Sequence, residues 1–297
     1  MGLTKTLERT IDSKAPSLSV RLRLARKRWR RDATLALLRQ LVSPGHAVVD
    51  IGAYRGVYTV ALARLVAPGG RVLAIEPMPA NQEALAVVAR RHANVTVFAG
   101  AASDHSGTAN LQIPLHQGHR LGALASMGRH SVASESVSVE TATVDQLLGD
   151  CVGADQTVGF IRCDVVGHED AALAGADRTL RSWRPAVLVE IEERHREQPV
   201  QVTLDRLSGY GYDGYFLRGT QLLALADFDV ARDQRAFVDA SFVPYGMPPD
   251  YVHYFLFVPP GRPLQLPRPV AGSGPNWLPN RWRRLAARKP PVAYHTR

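Results

Sequence analysis

The sequence predicts an α/β protein built on a doubly wound, mostly parallel sheet, and three observations carry that reading. Short apolar runs suited to strands alternate with amphipathic stretches of about ten to sixteen residues, the rhythm of strand–helix–strand units packed on both faces of a sheet. A glycine turn, Gly52 to Gly56, lies directly between the first apolar run and the helix pattern that follows it. The composition, 45% apolar and 21% charged over 297 residues, suits a chain with a full core.

From the N-terminus, a basic segment passes into an amphipathic helix with Leu35, Leu38 and Val42 at helical spacing, ended by Pro44-Gly45. HAVVDIG (46–52) is the first predicted strand, and residues 57–67 a helix closed by Pro68-Gly69-Gly70. RVLAIEP (71–77) is the second strand, 79–92 the second helix and NVTVFAGAAS (94–103) the third strand. A loop-rich insertion follows over 104–135, punctuated by Gly107, Pro114, Gly118 and Gly122. VSVETATVDQLL (137–148) reads as a strand running into a helix start. TVGFIRCDV (157–165) is the fourth core strand, 168–183 a helix and RPAVLVEIE (184–192) the fifth strand. Residues 203–218 give a helix and a strand, and YVHYFLFVPP (251–260) the last strand. No long amphipathic helix joins those last two strands, which predicts an antiparallel pairing at that sheet edge. The expected organisation is a basic N-terminal arm (1–30), a core domain (31–260) and a Pro/Arg-rich tail (261–297), with both ends contributing little to folding.

Charge and cysteine content exclude several classes. The net charge of +9 is concentrated at the ends: residues 1–31 carry +8, residues 261–297 another +8, and the middle −7. An acidic middle disfavours a broad nucleic-acid face and leaves the basic ends to meet an acidic partner or a membrane surface. No run of 18 apolar residues predicts a spanning helix. Cys151 and Cys163 are too few for a disulfide framework and lack metal-type spacing, so the reading is a reducing, cytoplasmic setting without a secretory leader.

The most informative segment is Asp50-Ile51-Gly52-Ala53-Tyr54-Arg55-Gly56. Its glycines permit a tight turn, and the following helix N-terminus offers N–H donors to an anion such as a carboxylate. Asp50 can receive an ammonium group, and Glu76 ends the second strand where an acid can accept ribose hydroxyls. An acid–glycine turn for an amino-acid moiety with a ribose acid on the next strand suits S-adenosylmethionine better than a dinucleotide. The spacing Gly52-x-x-x-Gly56 is not that of the dinucleotide fingerprint.

The ordered blocks VVDIGAYRGVYTVALA, GRVLAIEPMPANQEAL, NVTVFAGAASDHSGTANL, ETATVDQLL, GFIRCDVVGHEDAALAGADRTL and RPAVLVEI resemble the FkbM family of methyltransferases over residues 45–260. The resemblance implies a seven-stranded, Rossmann-like class I methyltransferase fold and S-adenosylmethionine-dependent methylation of hydroxyls on sugars, glycans or natural products. It implies cofactor-binding positions at Asp50, Gly52, Ala53, Tyr54, Gly56, Glu76 and Asp104, the last near the adenine. One departure stands out: Val166 occupies a position where the family pattern has Glu, while Asp164, Gly167 and Glu169 match.

At the acceptor side, an alcohol gains from a base or a Lewis acid in the transition state. Asp164, Glu190 and His195 lie at or just past the ends of strands four and five and are the expected catalytic residues. Each has a plainer alternative. Asp164 could cap the next helix, Glu190 could pair with Arg162 or Arg184, and His195 could be a solvated surface histidine. His116 and His119 in the insertion could bind substrate or metal, but no further ligands accompany them; a divalent ion therefore enters only as an alternative. Cys163 reads as a core residue, and Trp29 as part of a solvated or membrane-contacting arm. Two other functions compete: a cofactor-binding protein that has lost turnover, suggested by Val166, and a nucleic-acid methyltransferase using the basic ends. The second lacks the Asn/Asp-Pro-Pro-Tyr element that would hold a flipped base.

Overall fold

The computed structural model describes residues 15–264, apart from 30–31, 117–118, 121–124, 128–132, 152–155, 238–247, 249 and 263. In chain order the elements are α1 (Pro16–Trp29), α2 (Ala33–Leu41), β1 (Ala47–Ile51), α3 (Val57–Leu65), β2 (Arg71–Ile75), α4 (Pro79–Arg91), β3 (Val95–Phe98) and β4 (Ala101–Ala102). Then come β5 (Gly107–His116), β6 (His119–Arg120), β7 (Ser134–Ala142), α5 (Val144–Cys151), β8 (Val158–Cys163), α6 (Glu169–Ala174), α7 (Asp177–Ser182) and β9 (Ala186–Glu190). The chain continues with α8 (Val200–Gly209), β10 (Asp213–Arg218), β11 (Gln221–Ala224), α9 (Val230–Asp233) and β12 (Tyr254–Val258).

The main sheet has the order β11-β10-β12-β9-β8-β1-β2-β3, with β3, β2, β1, β8 and β9 parallel. Strands β1, β8 and β9 are apolar almost throughout because both their faces are covered. Alternate side chains feed two cores. Val49, Ile161, Val187 and Phe255 pack with α5–α8, while Val48, Phe160, Leu188 and Leu256 pack with α1–α4. Asp32 caps α2 by accepting from the Leu35 amide (3.1 Å), and Pro79 opens α4, where its missing N–H costs nothing.

The doubly wound, mostly parallel sheet is present, with three departures from expectation. The sheet has eight strands rather than seven, because β11 folds back on β10. The expected antiparallel pairing of the last two strands is present, β10 with β12, and β12 lies between β9 and β10. The third predicted strand breaks at Gly100, where a Cβ would lie 2.7 Å from the Glu140 carbonyl oxygen, so β3 stays in the main sheet and β4 joins a second one. That second sheet, β4-β7-β5-β6, recruits much of the loop-rich insertion: β5 and β7 pair over most of their length around Leu111, Ile113 and Val139.

A further correction concerns the N-terminal arm. Residues 16–29 are not a free arm but a helix docked on α3 and α4, with Val20 and Leu24 each only 2% exposed. Lys27 closes the contact, bonding Asp32 (2.7 Å) and the Tyr58 hydroxyl (2.8 Å). Hydrophobic pattern did not reveal this, because α1 spends its few apolar residues on two opposite faces. At the other end, Arg262 donates to the Leu41 carbonyl (2.8 Å). The expectation for the rest of the C-terminal tail, and for residues 1–14, falls outside the described residues.

Candidate active site

The carboxyl ends of β2, β1, β8 and β9 lie side by side, and the antiparallel β12 brings its N-terminal end to the same rim. At the centre stands Arg162, 4% exposed. Its guanidinium donates to Asp50 (2.8 Å) and the Gly52 carbonyl (3.2 Å), pairs with Asp164, and lies 4.3 Å from the centre of the Tyr58 ring. Asp50 is fully buried, its other oxygen accepting from the Thr59 hydroxyl (2.6 Å). It is therefore not an open carboxylate awaiting an ammonium group; the charge facing it is Arg162. Asp164, by contrast, has a side chain 28% exposed.

The glycine turn is also committed to the protein. The amides of Gly52 and Ala53 both donate to the Ile75 carbonyl (3.0 Å each), and the Tyr54 amide to Glu76 (2.8 Å). Gly52 has φ +73°, and a Cβ there would sit 1.9 Å from the Asp164 carbonyl oxygen. The glycine is required by the close approach of this turn to the chain just past β8, before any ligand is considered. Gly56, at φ +88°, lets α3 approach Leu85 and Val88 of α4. Tyr54 holds a positive φ of 51° with its side chain 39% exposed beside the turn.

Does this surface fit S-adenosylmethionine? The N-terminus of α3 has no side-chain cap, which leaves amide donors for an anion. Glu76, only 4% exposed, accepts from the amides of Tyr54 and Met78 and from Asn81. Those three bonds leave one of its four acceptor positions for a ribose hydroxyl. Burial pushes its carboxyl above the usual range. Asp104 is 54% exposed and held below the usual range by its hydrogen bond with His105. The residues fit the group at its anionic and ribose ends, but Asp50 is spent within the fold.

On the acceptor side Glu190 ends β9 and stands in register with Tyr254, whose hydroxyl bonds it. Burial, then the neighbouring Asp164 and Glu192, hold Glu190 well above the ordinary carboxylate range. Burial works the same way on the Glu192 carboxyl but loses there to Arg194 (2.8 Å) and the Tyr251 hydroxyl (2.7 Å), which keep it low. His253 stacks on Tyr251 and tilts against Tyr254, and burial lowers the basicity of its imidazole. Arg184 does not pair with Glu190; it donates to the carbonyls of Tyr210 and Gly211. Nor does Asp164 cap α6, whose flanking residue is His168.

His195 is 12% exposed in a short 3-10 turn, 3.7 Å from Glu192, so the solvated-surface reading is wrong; its carbonyl packs against Gly167. Glu169 forms a buried pair with Arg196, and Val166 lies in the turn between β8 and α6. His116 and His119 pair across β5 and β6, but their side chains lie outside the described residues, as does that of Trp29. Cys163 is fully buried in the core. Among the described residues no three His, Cys, Asp or Glu groups converge to hold a metal.

Sequence reasoning missed Tyr58, Glu192, Tyr251, His253 and Tyr254. A signal existed for the last three: an antiparallel strand entering a parallel sheet presents its start where its neighbours present their ends, and YVHY leads into β12 at Tyr254.

The Methyltransferase FkbM domain model matches residues 50–214, more than half of the chain. The protein belongs to the FkbM methyltransferase family. A 73-residue stretch is 38% identical to a protein-L-isoaspartate O-methyltransferase of Aeropyrum pernix, covering 25% of this chain and 26% of that protein. This FkbM chain thus matches about a quarter of the length of that curated relative. Among solved structures, an FkbM methyltransferase of Methylobacillus flagellatus aligns with a TM-score of 0.45 and 18% identity, over 72% of this chain and 44% of the other. A fibrillarin of Aeropyrum pernix, solved with natively bound S-adenosyl-L-methionine, aligns at TM-score 0.40 and 14% identity, over 76% and 73%.

Proposed function

We propose that this FkbM protein transfers a methyl group from S-adenosylmethionine to a hydroxyl of a small molecule, sugar or glycan, within the cytoplasm. The observation that carries the reading is the pairing of Asp164 and Glu190 on adjacent strand ends, beside an uncapped helix N-terminus and a ribose-type acid. When bound, the cofactor supplies an electrophilic methyl on a sulfonium. The α3 amides would hold its carboxylate and Glu76 its ribose, with Tyr54 and Asp104 flanking.

The chain's own part is orientation and proton handling. Arg162 fixes the Asp164 carboxylate, leaving its outer face to accept the proton of an acceptor hydroxyl. Glu190, whose carboxyl burial pushes well above the ordinary range, stands beside it with the Tyr254 hydroxyl bonded to it. His195, covered and facing Glu192, is assigned to shaping the turn at Gly167 rather than to proton transfer.

Asp164→Asn should leave cofactor affinity intact and lower turnover by roughly two to four decades. Single-turnover transfer of labelled methyl to a panel of sugar and natural-product alcohols measures it, and wild-type turnover in the variant removes Asp164 from the mechanism. Glu76→Ala should weaken cofactor binding by about 1–3 kcal/mol in calorimetry. Unchanged affinity in a folded Glu76→Ala protein would reject the cofactor site.

A further inference from the structure

Helix α1 has two apolar faces. Val20 and Leu24 are buried against α3 and α4, while Leu18 and Leu22, one turn apart on the opposite side, are 47% and 52% exposed. Ala25 extends the outer stripe. Arg21 and Arg26, both exposed, flank the stripe on either side, and residues 16–29 include no acid. A docked helix has no folding reason to keep leucines in water in this pattern.

We propose that the outer face of α1 seats the protein on an anionic lipid bilayer, its leucines at the headgroup–acyl boundary and its arginines on lipid phosphates. The chemistry favours a bilayer over a nucleic acid, because phosphates alone give Leu18 and Leu22 nothing to bury against. No helix among the described residues is long and apolar enough to cross a membrane, so the contact is peripheral. It is also coupled to the site: Lys27 on the same helix bonds Tyr58, whose ring carries the Arg162 guanidinium that holds Asp164.

The test is flotation of the full chain with vesicles of phosphatidylcholine alone and of phosphatidylcholine mixed with phosphatidylglycerol. Binding is read at roughly 0.1 M and 1 M salt, where the screening length falls from about 10 Å to about 3 Å. The paired change Leu18→Ser with Leu22→Ser keeps every basic residue, and an unshifted melting temperature certifies its fold. It should lower partitioning onto mixed vesicles by about tenfold and abolish what survives high salt. Arg21→Glu with Arg26→Glu should lose binding to mixed vesicles only. Equal partitioning of wild type and the serine variant overturns the proposal. Wild-type binding that disappears in high salt as completely as the variant's also overturns it, since that is how basic ends behave on any polyanion.

Discussion

Arg162 is the residue on which the centre of the molecule depends, since it neutralises the fully buried Asp50 and orients the half-buried Asp164. Removing it leaves a carboxylate uncompensated in the core. Arg162→Met should destabilise the protein by about 3–5 kcal/mol in urea denaturation, with Asp50→Asn on the same background recovering part of the loss. A loss under 1 kcal/mol would mean that Asp50 finds another partner. Glu169 makes a different statement. Burial pushes its carboxyl up to about 7 from an ordinary 4.5, against the pull of Arg196. The folded chain thus holds this proton more tightly than the unfolded one. Its stabilising contribution is complete below about pH 4.5 and is lost as pH rises through 7, a change of about 3 kcal/mol. Unfolding free energies of wild type and Glu169→Gln, compared from pH 4.5 to 8, should diverge with that slope; parallel curves would place the titration elsewhere.

At the scale of elements, α1 is part of the fold. It buries Val20 and Leu24 and anchors Lys27 on Tyr58. Deleting residues 1–29 should cost about 3–6 kcal/mol as an upper figure and shift the urea midpoint accordingly. A midpoint that does not move would restore the reading of a dispensable arm. The same scale explains Gly52, Gly167 and Gly175, where an added Cβ would fall 1.9–2.2 Å from a carbonyl oxygen of a neighbouring segment. The first two adopt positive φ as well. Gly52→Val is therefore a folding mutation, and lost cofactor binding in it would say nothing about the cofactor. Glu76→Ala, which adds no atom to the turn and is checked for folding, is the informative change.

For the whole molecule, the described residues all fall within the unit that ends at Leu266. We expect a chain ending at residue 266 to keep its melting temperature and its cofactor affinity; loss of either would show that the last 31 residues support the core. Much of the architecture was legible in the sequence. Buried parallel strands must be apolar on both faces, and AVVDI, RVLAI, VGFIRC and AVLVE say so directly. Strands of the second sheet were harder to read: Ser134–Ala142 alternates exposed and partly buried positions, and its partner runs through Gly107 and Pro114.

The sequence by itself determined the alternation of strands and helices, the turn at Gly52–Gly56, the acids at strand ends and the family to which they belong. These are local properties, set by periodicity and by which residues tolerate a tight turn. Only the tertiary structure decided which carboxylates stay open. Asp50 and Asp164 read alike as acids at strand ends, yet Arg162, one residue in from Cys163 on β8, reaches both and buries one of them. Likewise Tyr254 meets Glu190 because β12 enters the sheet antiparallel beside β9, some sixty residues later in the chain. Pairings across that distance follow from strand order and register, and no local pattern encodes either.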